Sequence, residues 1–294
     1  MTTSKSKYKI SVILVTYNHE SYIDDAMESL VMQELNMPVE VIVADDGSSD
    51  KTLKKINSYD KKNAFLKFRY LKNEKNIGVT KNYQRAIAEC SGEYVCILEG
   101  DDYWIHINKI LTQADFLDNY KKVDLVANNF FIKDSISKKF YLHKYFSDEF
   151  TLLSSEMLIN ENIIGNFSSC MYRRSALINL PPEVFNITSY DWIINILIAM
   201  NGLVAFNYKP ISVYRLHSGG HWSSLKSIEK LTLQLKLISS YNKITNYSFS
   251  DDFRIVTNRL KRQITLAKMK NIYILCLIIK YSPKNIKQAL RKFV

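Results

Sequence analysis

Acidic residues follow an apolar segment of the chain in a pattern that can hold a metal ion. The segment 94–98 runs directly into Glu99, Asp101 and Asp102. Mg²⁺ and Mn²⁺ take oxygen ligands from one or two carboxylates and complete their shell with phosphate oxygens and water. Carboxylates beside a nucleotide diphosphate need such a cation between the like charges. We therefore expect Asp101 and Asp102 to lie at a divalent-cation site; an acidic turn that caps the following helix is the alternative.

A second acidic segment, DDGSSD at residues 45–50, allows two roles at once. Gly47 permits a turn, and Ser49 and Asp50 are residue types that cap a helix. The carboxylate of Asp46 can accept a hydrogen bond from the imide N–H of a uracil-type base. We expect both roles to hold, so that the segment caps a helix and also contacts a nucleotide.

The elements that would place these residues alternate between strand and helix. Segment 10–16 is a continuous apolar run rich in β-branched residues, as expected for a strand buried on both faces, and strand-like and helix-like patterns alternate after it. The predicted strands are 10–16, 39–44, 65–71 and 94–98, and the predicted helices are 21–32, 49–58 and 80–88. This alternation predicts an α/β fold with a mostly parallel central sheet flanked by helices. Ligands of such sheets bind at the carboxyl ends of the strands, where both acidic segments fall.

Beyond residue 105 the pattern is looser. Apolar residues at helical spacing predict further helices, and two apolar runs predict strands. The predicted helices are 108–119, 154–160 and 192–200, the predicted strands are 124–133 and 170–172, and two basic amphipathic helices follow at 227–241 and 253–270. The sequence therefore predicts an α/β body followed by a helical extension.

The excess of positive over negative charge lies in the last quarter of the chain. The formal net charge is +11, and residues 226–294 alone hold 15 lysines and arginines against 3 acids. We therefore expect two domains, residues 1–222 and a basic helical extension over residues 223–294. Basic and apolar residues alternate in the extension, which fits helices on an anionic membrane surface and equally a solvated helix pair. A nucleic-acid partner is not expected, because no recognisable module accompanies the charge.

Cysteine usage and hydropathy bear on the cellular compartment. The four cysteines show no CxxC spacing, which favours free thiols in a reducing cytosol over a zinc site or disulfides. No apolar stretch reaches the roughly 18 residues that a transmembrane helix needs. We expect a cytoplasmic protein whose membrane contact, if any, is peripheral and at the inner face of the membrane.

Three motifs in order resemble one known family. They read SVILVTYN, VEVIVADDGSSD and NIGVTKNYQRAIAECSGEYVCILEGDDYW. Residues 8 to 120 resemble family 2 glycosyltransferases with the GT-A fold, a Rossmann-like sheet flanked by helices, and a weaker resemblance continues to residue 225. The last motif has Glu99 where the family commonly has an aspartate.

The resemblance implies a nucleotide site at the strand ends, with a metal ligand inside it. The residues that it implies as contacts of the donor nucleotide are Thr16, Tyr17, Asn18, Asp46, Gly78, Lys81 and Asp101. Asp102 is implied as the ligand of the divalent cation, Mn²⁺ or Mg²⁺. A glycine at position 78 would let the loop backbone approach the nucleotide closely.

Two later segments complete the implied site. The family places its catalytic base at the start of a late helix, and Asp191 stands there in this chain; a plain N-cap is the alternative. The segment 213–223 resembles the loop of the family that contains YRxH. Arg215 would pair with a phosphate in bidentate fashion, and His217 would complete the metal shell or bond a phosphate oxygen.

The resemblance implies an enzyme of cell-surface polysaccharide synthesis. An inverting, metal-dependent glycosyltransferase of this kind moves a sugar from a nucleotide-diphosphate donor, most often a UDP-sugar, to a glycan or lipid-linked acceptor. Two alternatives stay open. A sugar nucleotidyltransferase would be expected to carry a Gly-rich loop after the first strand, where this chain reads TYNHES. A sugar-nucleotide-binding protein without catalysis would keep the fold and lose the carboxylates.

Overall fold

The computed structural model describes residues 9–71, 75–135, 137–145, 149–188, 190–220 and 222–281. The chain forms two compact units, Met1–Gly220 and His221–Val294. The first unit contains the sheet and the acidic segments, and the described part of the second is helical. The domain boundary expected at residue 222 from the charge pattern stays a prediction.

The first unit is built on one ten-stranded sheet. Its strands in chain order are β1 (Ile10–Thr16), β2 (Val39–Asp45), β3 (Leu66–Tyr70), β4 (Tyr94–Glu99), β5 (Tyr103–Trp104), β6 (Val123–Asp134), β7 (Lys139–Leu142), β8 (Phe150–Leu153), β9 (Cys170–Arg173) and β10 (Leu203–Leu216). Their order across the sheet is β3-β2-β1-β4-β9-β6-β10-β5, with β7 paired to β6 and β8 paired to β10.

Helices connect the strands of this unit. They are α1 (Ile23–Val31), α2 (Thr52–Asn57), α3 (Val79–Glu89), α4 (Lys109–Asn119), α5 (Ser155–Asn160), α6 (Arg174–Ile178) and α7 (Tyr190–Asn201). Most of the paired residues in the sheet lie in parallel ladders. The predicted α/β fold, a mostly parallel sheet flanked by helices, is confirmed.

The strands of the first hundred residues form one parallel half of the sheet. β1 is buried along its whole length, which suits its continuous apolar, β-branched sequence. Thr16 lies opposite Asp45 in β2, and Val15 lies opposite Glu99 in β4. The polar residues that follow these three strands therefore meet at one edge of the sheet.

The longest strand, β10, has no counterpart in the sequence-based prediction. It spans 14 residues and runs parallel to β6. Pro210 interrupts its apolar pattern, because proline cannot donate a ladder hydrogen bond, and the structure places it at an irregularity in the register with β6. Since β9 is antiparallel to both β4 and β6, the strands β4, β6 and β10 all point the same way. Arg215 therefore lies in the sheet, and not in a loop.

Apolar side chains of the parallel strands pack against those of α1 and α4 to form the main core. Leu14, Met27, Leu98 and Ile110 are among its members, and each is fully buried. Burying a side chain of this size contributes about 1.5–3 kcal/mol of stabilisation. The core holds the strands in register, so the polar residues at their ends have fixed positions.

The described part of the second unit consists of α8 (Ser227–Ile244) and α9 (Ser250–Tyr281), which pack against each other. These helices begin within three residues of the two predicted basic helices. Within the described residues, no helix has the length and apolar character needed to span a bilayer. Residues 282–294, which belong to the predicted basic extension, lie outside the described part of the chain.

Candidate active site

Side chains from distant parts of the chain meet at the carboxyl ends of β1, β4 and β10. Nε2 of His217, which follows β10, lies 3.0 Å from Oδ2 of Asp101, which follows β4. Nε2 of His19, which follows β1, lies 3.8 Å from the same oxygen. The ring of Tyr22 packs on the ring of His217, with 4.3 Å between the ring centroids. One carboxylate and two imidazoles therefore form a cluster at the strand ends.

Burial and neighbouring charges set the ionisation of this cluster. Burial acts to raise the pKa of Asp101, but the hydrogen bond with His217 and the charges of His19 and His217 outweigh it, so the pKa is lowered. Burial lowers the pKa of His19, and His217 lowers it further, against the opposing charge of Asp101. An ionised carboxylate and a neutral imidazole are the forms in which these groups bind a cation.

The donor atoms in this cluster suit a divalent cation. Asp101 offers a carboxylate oxygen and His217 an imidazole nitrogen, and Mn²⁺ accepts both kinds of ligand in proteins. Within the described residues, no group of three or more His, Cys, Asp or Glu side chains is placed as a complete metal site. Phosphate oxygens and water are the usual remaining ligands of such an ion.

The lack of a side chain at Gly100 leaves room for His19, a member of the cluster, and for Thr16. A Cβ atom at this position would lie 2.8 Å from Nδ1 of His19 and 2.8 Å from Oγ1 of Thr16. Both atoms are buried, and neither has a hydrogen-bond partner in the described part of the chain. Buried polar atoms usually have a partner, so these two can bond a ligand or a water molecule. Thr16 is one of the predicted nucleotide contacts.

Asp102 is completely buried, and its carboxylate is occupied by protein donors. One oxygen accepts hydrogen bonds from Nδ2 of Asn166 at 2.7 Å and from Oγ of Ser168 at 2.8 Å. The other oxygen accepts the backbone N–H of Arg215 at 3.0 Å. Burial, followed by the charge of Asp101, raises the pKa of Asp102 to about 7. The predicted metal role of Asp102 does not fit this placement, and Asp101 is the better-placed ligand.

The guanidinium of Arg215 is also engaged within the protein. It bonds the carboxylate of Asp25 and lies over the rings of Tyr22 and Tyr103, 5.4 and 4.8 Å from their centroids. An ion pair and two cation–π contacts hold the buried side chain in place. The predicted bidentate contact of Arg215 with a phosphate does not fit this geometry. The backbone N–H of Arg215 instead donates a hydrogen bond to Asp102.

Two predicted nucleotide contacts join the loops at the strand ends. The carboxylate of Asp46 accepts the backbone N–H of Ile77 at 2.9 Å and that of Gly78 at 3.0 Å. Oδ1 of Asn18 accepts the backbone N–H of Ser49 at 2.9 Å. Both side chains therefore shape the loops around the predicted site, and a bond from Asp46 to a nucleotide base would be additional to these.

The other predicted nucleotide contacts differ in their placement. Tyr17 is 44% exposed, so its ring is accessible to a ligand. Gly78 has a φ of +89°, and, its chain neighbours aside, no atom of the described residues lies within 4 Å of the place where its Cβ would stand. Nζ of Lys81 lies 2.8 Å from Oδ1 of Asn186. This contact directs the amine at neighbouring protein and does not support the predicted nucleotide contact of Lys81.

Asp191 stands in the first turn of α7, where the helix N-terminus favours a negative charge. Nδ2 of Asn162 donates a hydrogen bond to its Oδ2 at 3.1 Å. Burial raises the pKa of Asp191, against the opposing effect of this hydrogen bond. Burial and the charges of Asp102 and Asp101 raise the pKa of Glu99, and the charge of Asp191 adds to the effect. The predicted base therefore lies near Glu99, the last residue of β4.

Several side chains that shape this site were not predicted from the sequence. His19 contacts Asp101, and the signal available for it was its position directly after the strand-end residues Thr-Tyr-Asn. Asn166 and Ser168 bond Asp102, and both come from the segment 162–169. The residue types of that segment are common in loops, so the sequence carried no specific signal for them.

Comparison with known proteins identifies the family. The model of glycosyl transferase family 2 matches residues 11–180, more than half of the chain. This chain belongs to glycosyl transferase family 2. The resemblance seen in the three sequence motifs is therefore confirmed.

Relatives in sequence include proteins with and without a described activity. An uncharacterised protein of Mycobacterium tuberculosis is 32% identical over 221 residues, which are 73% of this chain and 61% of that protein. This family 2 chain therefore spans less than two thirds of that relative. A protein of Escherichia coli, the UDP-Glc:alpha-D-GlcNAc-diphosphoundecaprenol beta-1,3-glucosyltransferase WfaP, is 28% identical over 233 residues, 79% of this chain and 86% of that protein.

Solved structures share the fold of this family 2 chain. The S. aureus TarS fragment 1–349 in complex with UDP-GlcNAc is 22% identical, with a TM-score of 0.57 over 79% of this chain and 66% of that one. The mannosyltransferase PcManGT of Pyrobaculum calidifontis in complex with GDP-Man and Mn²⁺ is 13% identical, with a TM-score of 0.58 over 95% of this chain and 85% of that one. These likenesses confirm the GT-A fold.

Proposed function

We propose that this protein is an inverting, metal-dependent glycosyltransferase that moves a sugar from a UDP-sugar to a lipid-linked saccharide in cell-surface polysaccharide synthesis. The observation that carries the proposal is the contact of Asp101 with His217 at the strand ends. This contact offers a cation two ligands where a diphosphate can supply the others. The charge of Asp191 adds to the rise in the pKa of Glu99, which precedes Asp101 by two residues.

The proposed donor is a sugar nucleotide with a diphosphate. WfaP carries UDP-Glc in its name, and TarS and PcManGT were crystallised with UDP-GlcNAc and GDP-Man. In this chain the free hydroxyl of Thr16, the exposed ring of Tyr17 and the backbone at Gly78 are the groups that would receive the nucleotide. Asp46 and Asn18 would act mainly by holding the loops around it.

Asp101 and His217 would hold the divalent cation, Mn²⁺ or Mg²⁺. When bound, such a cation neutralises the charge that develops on the leaving nucleotide diphosphate. The position of Asp101 is fixed through the next residue in the chain. Asp102, one residue later, is bonded to Asn166, Ser168 and the backbone of Arg215. The bonds of Asp102 therefore connect the ends of β4 and β10 and orient the proposed metal ligands.

Asp191 is the proposed general base. In a single displacement, the acceptor hydroxyl attacks the anomeric carbon from the side opposite to the leaving group, and one carboxylate takes the hydroxyl proton. Burial raises the pKa of Asp191, which makes its ionised form a stronger base. The hydrogen bond from Asn162 fixes the direction of the carboxylate. A single displacement of this kind inverts the anomeric configuration.

The proposed acceptor is a saccharide carried on a lipid diphosphate. The name of WfaP gives an acceptor of this kind, α-D-GlcNAc-diphosphoundecaprenol, and WfaP shares most of its length with this chain. An acceptor of this kind lies at a membrane surface, so the proposed enzyme works there, in the cytoplasm at the inner face. The basic C-terminal extension, residues 223–294, is proposed to add attraction to anionic lipids.

Thermal unfolding with nucleotides tests the donor site. Wild type, Asp101→Asn and Asp191→Asn would be unfolded with UDP, GDP, CDP or dTDP, each with and without Mn²⁺. A ligand at 100 times its dissociation constant stabilises a protein by about 2.7 kcal/mol. We expect UDP to stabilise wild type and Asp191→Asn only with Mn²⁺, and Asp101→Asn not at all. Absence of a shift with every nucleotide would overturn the proposed donor site.

A further inference from the structure

The hairpin of β6 and β7 presents aromatic rings and lysines to solvent. Three rings of this segment are among the exposed large side chains of the chain: Phe140 (57%), Tyr141 (41%) and Tyr145 (78%). Three lysines of the same segment are also exposed: Lys133, Lys138 and Lys139. We call residues 131–135 and 137–145 the aromatic hairpin. Soluble proteins seldom group so many exposed rings without a binding partner.

The pairing of the two strands orders part of this surface. Phe131 lies opposite Leu142 and Lys133 lies opposite Phe140, so these four side chains share one face of the hairpin. The rings of Phe131 and Phe140 are stacked, with 4.9 Å between their centroids. Since β7 pairs with β6 and with no other described strand, it stands at an edge of the sheet. Tyr141 and Lys139 lie on the opposite face, so both faces of the hairpin carry an aromatic ring and a lysine.

The charge of the aromatic hairpin is positive. Within the described residues, Lys133, Lys138 and Lys139 form no salt bridge, whereas Lys144 pairs with Glu161. The one acid of the segment, Asp134, accepts hydrogen bonds from the backbone and hydroxyl of Ser137. Lys133 also lies over the ring of Tyr103, with 5.9 Å from its Nζ to the ring centroid. The exposed Lys138 and Lys139, which lie beside the exposed rings, match an anionic surface.

The hairpin lies next to the candidate active site. Asp134 at the end of β6 is opposite Leu216 at the end of β10, and the backbone N–H of Ser135 donates to the carbonyl of Leu216 at 2.9 Å. His217, the proposed metal ligand, is the next residue. On the other arm of the hairpin, Nε2 of His143 lies 2.8 Å from the carbonyl oxygen of Ile163.

We propose that the aromatic hairpin docks on the surface of an anionic lipid bilayer. Aromatic rings settle at the level of the lipid headgroups, and lysines are attracted to anionic lipids. Docking there would bring the strand ends that carry Asp101 and His217 to the surface where a lipid diphosphate lies. The role of this docking in presenting the acceptor rests on the proposed function, whereas binding to the bilayer does not require catalysis.

Vesicle binding of the full chain tests this proposal. Wild type would be sedimented with vesicles of phosphatidylglycerol and phosphatidylcholine and with vesicles of phosphatidylcholine alone. A lysine near an anionic surface contributes about fivefold to binding. We expect Lys138→Gln/Lys139→Gln to weaken binding to the anionic vesicles by about 25-fold. The matched control, Lys61→Gln/Lys62→Gln, removes two exposed lysines that precede the amino end of β3. It should bind within about twofold to threefold of wild type.

A fluorescent reporter locates the contact independently of the basic extension. Phe140→Trp and Phe65→Trp each place an indole at an exposed aromatic position, the first in the hairpin and the second before β3. With brominated lipids in anionic vesicles, we expect added quenching for Phe140→Trp and none for Phe65→Trp. Equal quenching in the two variants, or unchanged binding of the lysine variant, would overturn the proposal.

Two further measurements distinguish bilayer docking from glycan binding and from a failure of the proposed function. If the hairpin variants lose affinity for a soluble acidic polysaccharide and keep their affinity for vesicles, the hairpin binds a glycan and the bilayer proposal is wrong. Each variant should also retain the Mn²⁺-dependent stabilisation by UDP that is expected of wild type, which verifies its fold. If neither wild type nor any variant responds to UDP, the proposed function fails. A normal melting curve then verifies the fold of each protein, and vesicle binding still tests the docking.

Discussion

Nε2 of His217 lies 3.0 Å from Oδ2 of Asp101, although 116 residues separate the two positions in the chain. The contact forms because β4 and β10 point the same way and end at the same edge of the sheet. Asp102 is the next residue along the chain, but its carboxylate bonds Asn166, Ser168 and a backbone N–H. Adjacent aspartates therefore have different surroundings, and we assign them different roles.

Asp102→Asn should change the pH dependence of stability. Burial and then Asp101 raise the pKa of Asp102 to about 7 in the folded protein, above the value of about 3.9 in an unfolded chain. A carboxyl group whose pKa is raised by folding binds more protons in the folded state, so stability falls as the pH rises between these two values. We expect wild type to lose stability from about pH 4 to about pH 7, and the variant to lose less. Urea unfolding at several pH values measures this, and identical profiles would contradict the surroundings described for Asp102.

Asn162→Ala should shift the pH profile of catalysis. The hydrogen bond from Asn162 acts to lower the pKa of Asp191, so its removal should raise that pKa further. A base is active when ionised, and the acidic limb of the kcat profile should therefore move to higher pH. The exposed Asn179 offers a matched control, because Asn179→Ala should leave the profile unchanged. A lower kcat with the same pH limb in Asn162→Ala would show that Asn162 does not tune this base.

Gly100→Ala should disrupt the cluster of Asp101, His19 and His217. The added Cβ would lie 2.8 Å from Nδ1 of His19 and from Oγ1 of Thr16, so at least one of them must move. We expect a loss of about 1–3 kcal/mol in the free energy of unfolding and weaker Mn²⁺-dependent binding of UDP. Gly219→Ala is the control. Its added Cβ would lie 3.5 Å from Nδ1 of His217, which is an ordinary van der Waals distance. Calorimetric titration with UDP and Mn²⁺ measures both variants, and equal affinities for them would be the contrary result.

Arg215→Met should lower stability and leave donor binding intact. The side chain is buried between Tyr22 and Tyr103 and bonds Asp25, so the substitution removes an ion pair and two cation–π contacts. We expect the free energy of unfolding to fall by about 2–3 kcal/mol. The affinity for UDP with Mn²⁺ should stay within about twofold of that of wild type. This is well below a tenfold change, which corresponds to about 1.4 kcal/mol. A large loss of affinity at unchanged stability would restore the phosphate role that the sequence suggested.

The sequence was most informative where the local pattern and the tertiary structure agree. β1, β2 and β4 are mostly apolar in sequence and buried along almost their whole length, so their ends could be located from the sequence alone. β10 was missed because Pro210 breaks its pattern, and the irregular register that accommodates this proline depends on β6. Local signals do not report such a partner.

The roles of individual polar residues were harder to predict than their location. The motif around Glu99, Asp101 and Asp102 places three carboxyl groups at a strand end, but their directions depend on residues far away in the chain. Asp102 faces donors from the segment 162–169, and Asp101 faces His217. Which of two adjacent aspartates faces a ligand is decided by these long-range contacts.

The stereochemistry of the transfer tests the proposed function most directly. The full chain would be incubated with Mn²⁺, a panel of α-linked UDP-sugars and a GlcNAc-diphosphate lipid acceptor, and the new glycosidic bond examined by NMR. We expect a product with the β configuration, formed by wild type and reduced by about 10²- to 10⁴-fold in Asp191→Asn. An α-linked product, or an undiminished rate in Asp191→Asn, would contradict an inverting mechanism with Asp191 as its base.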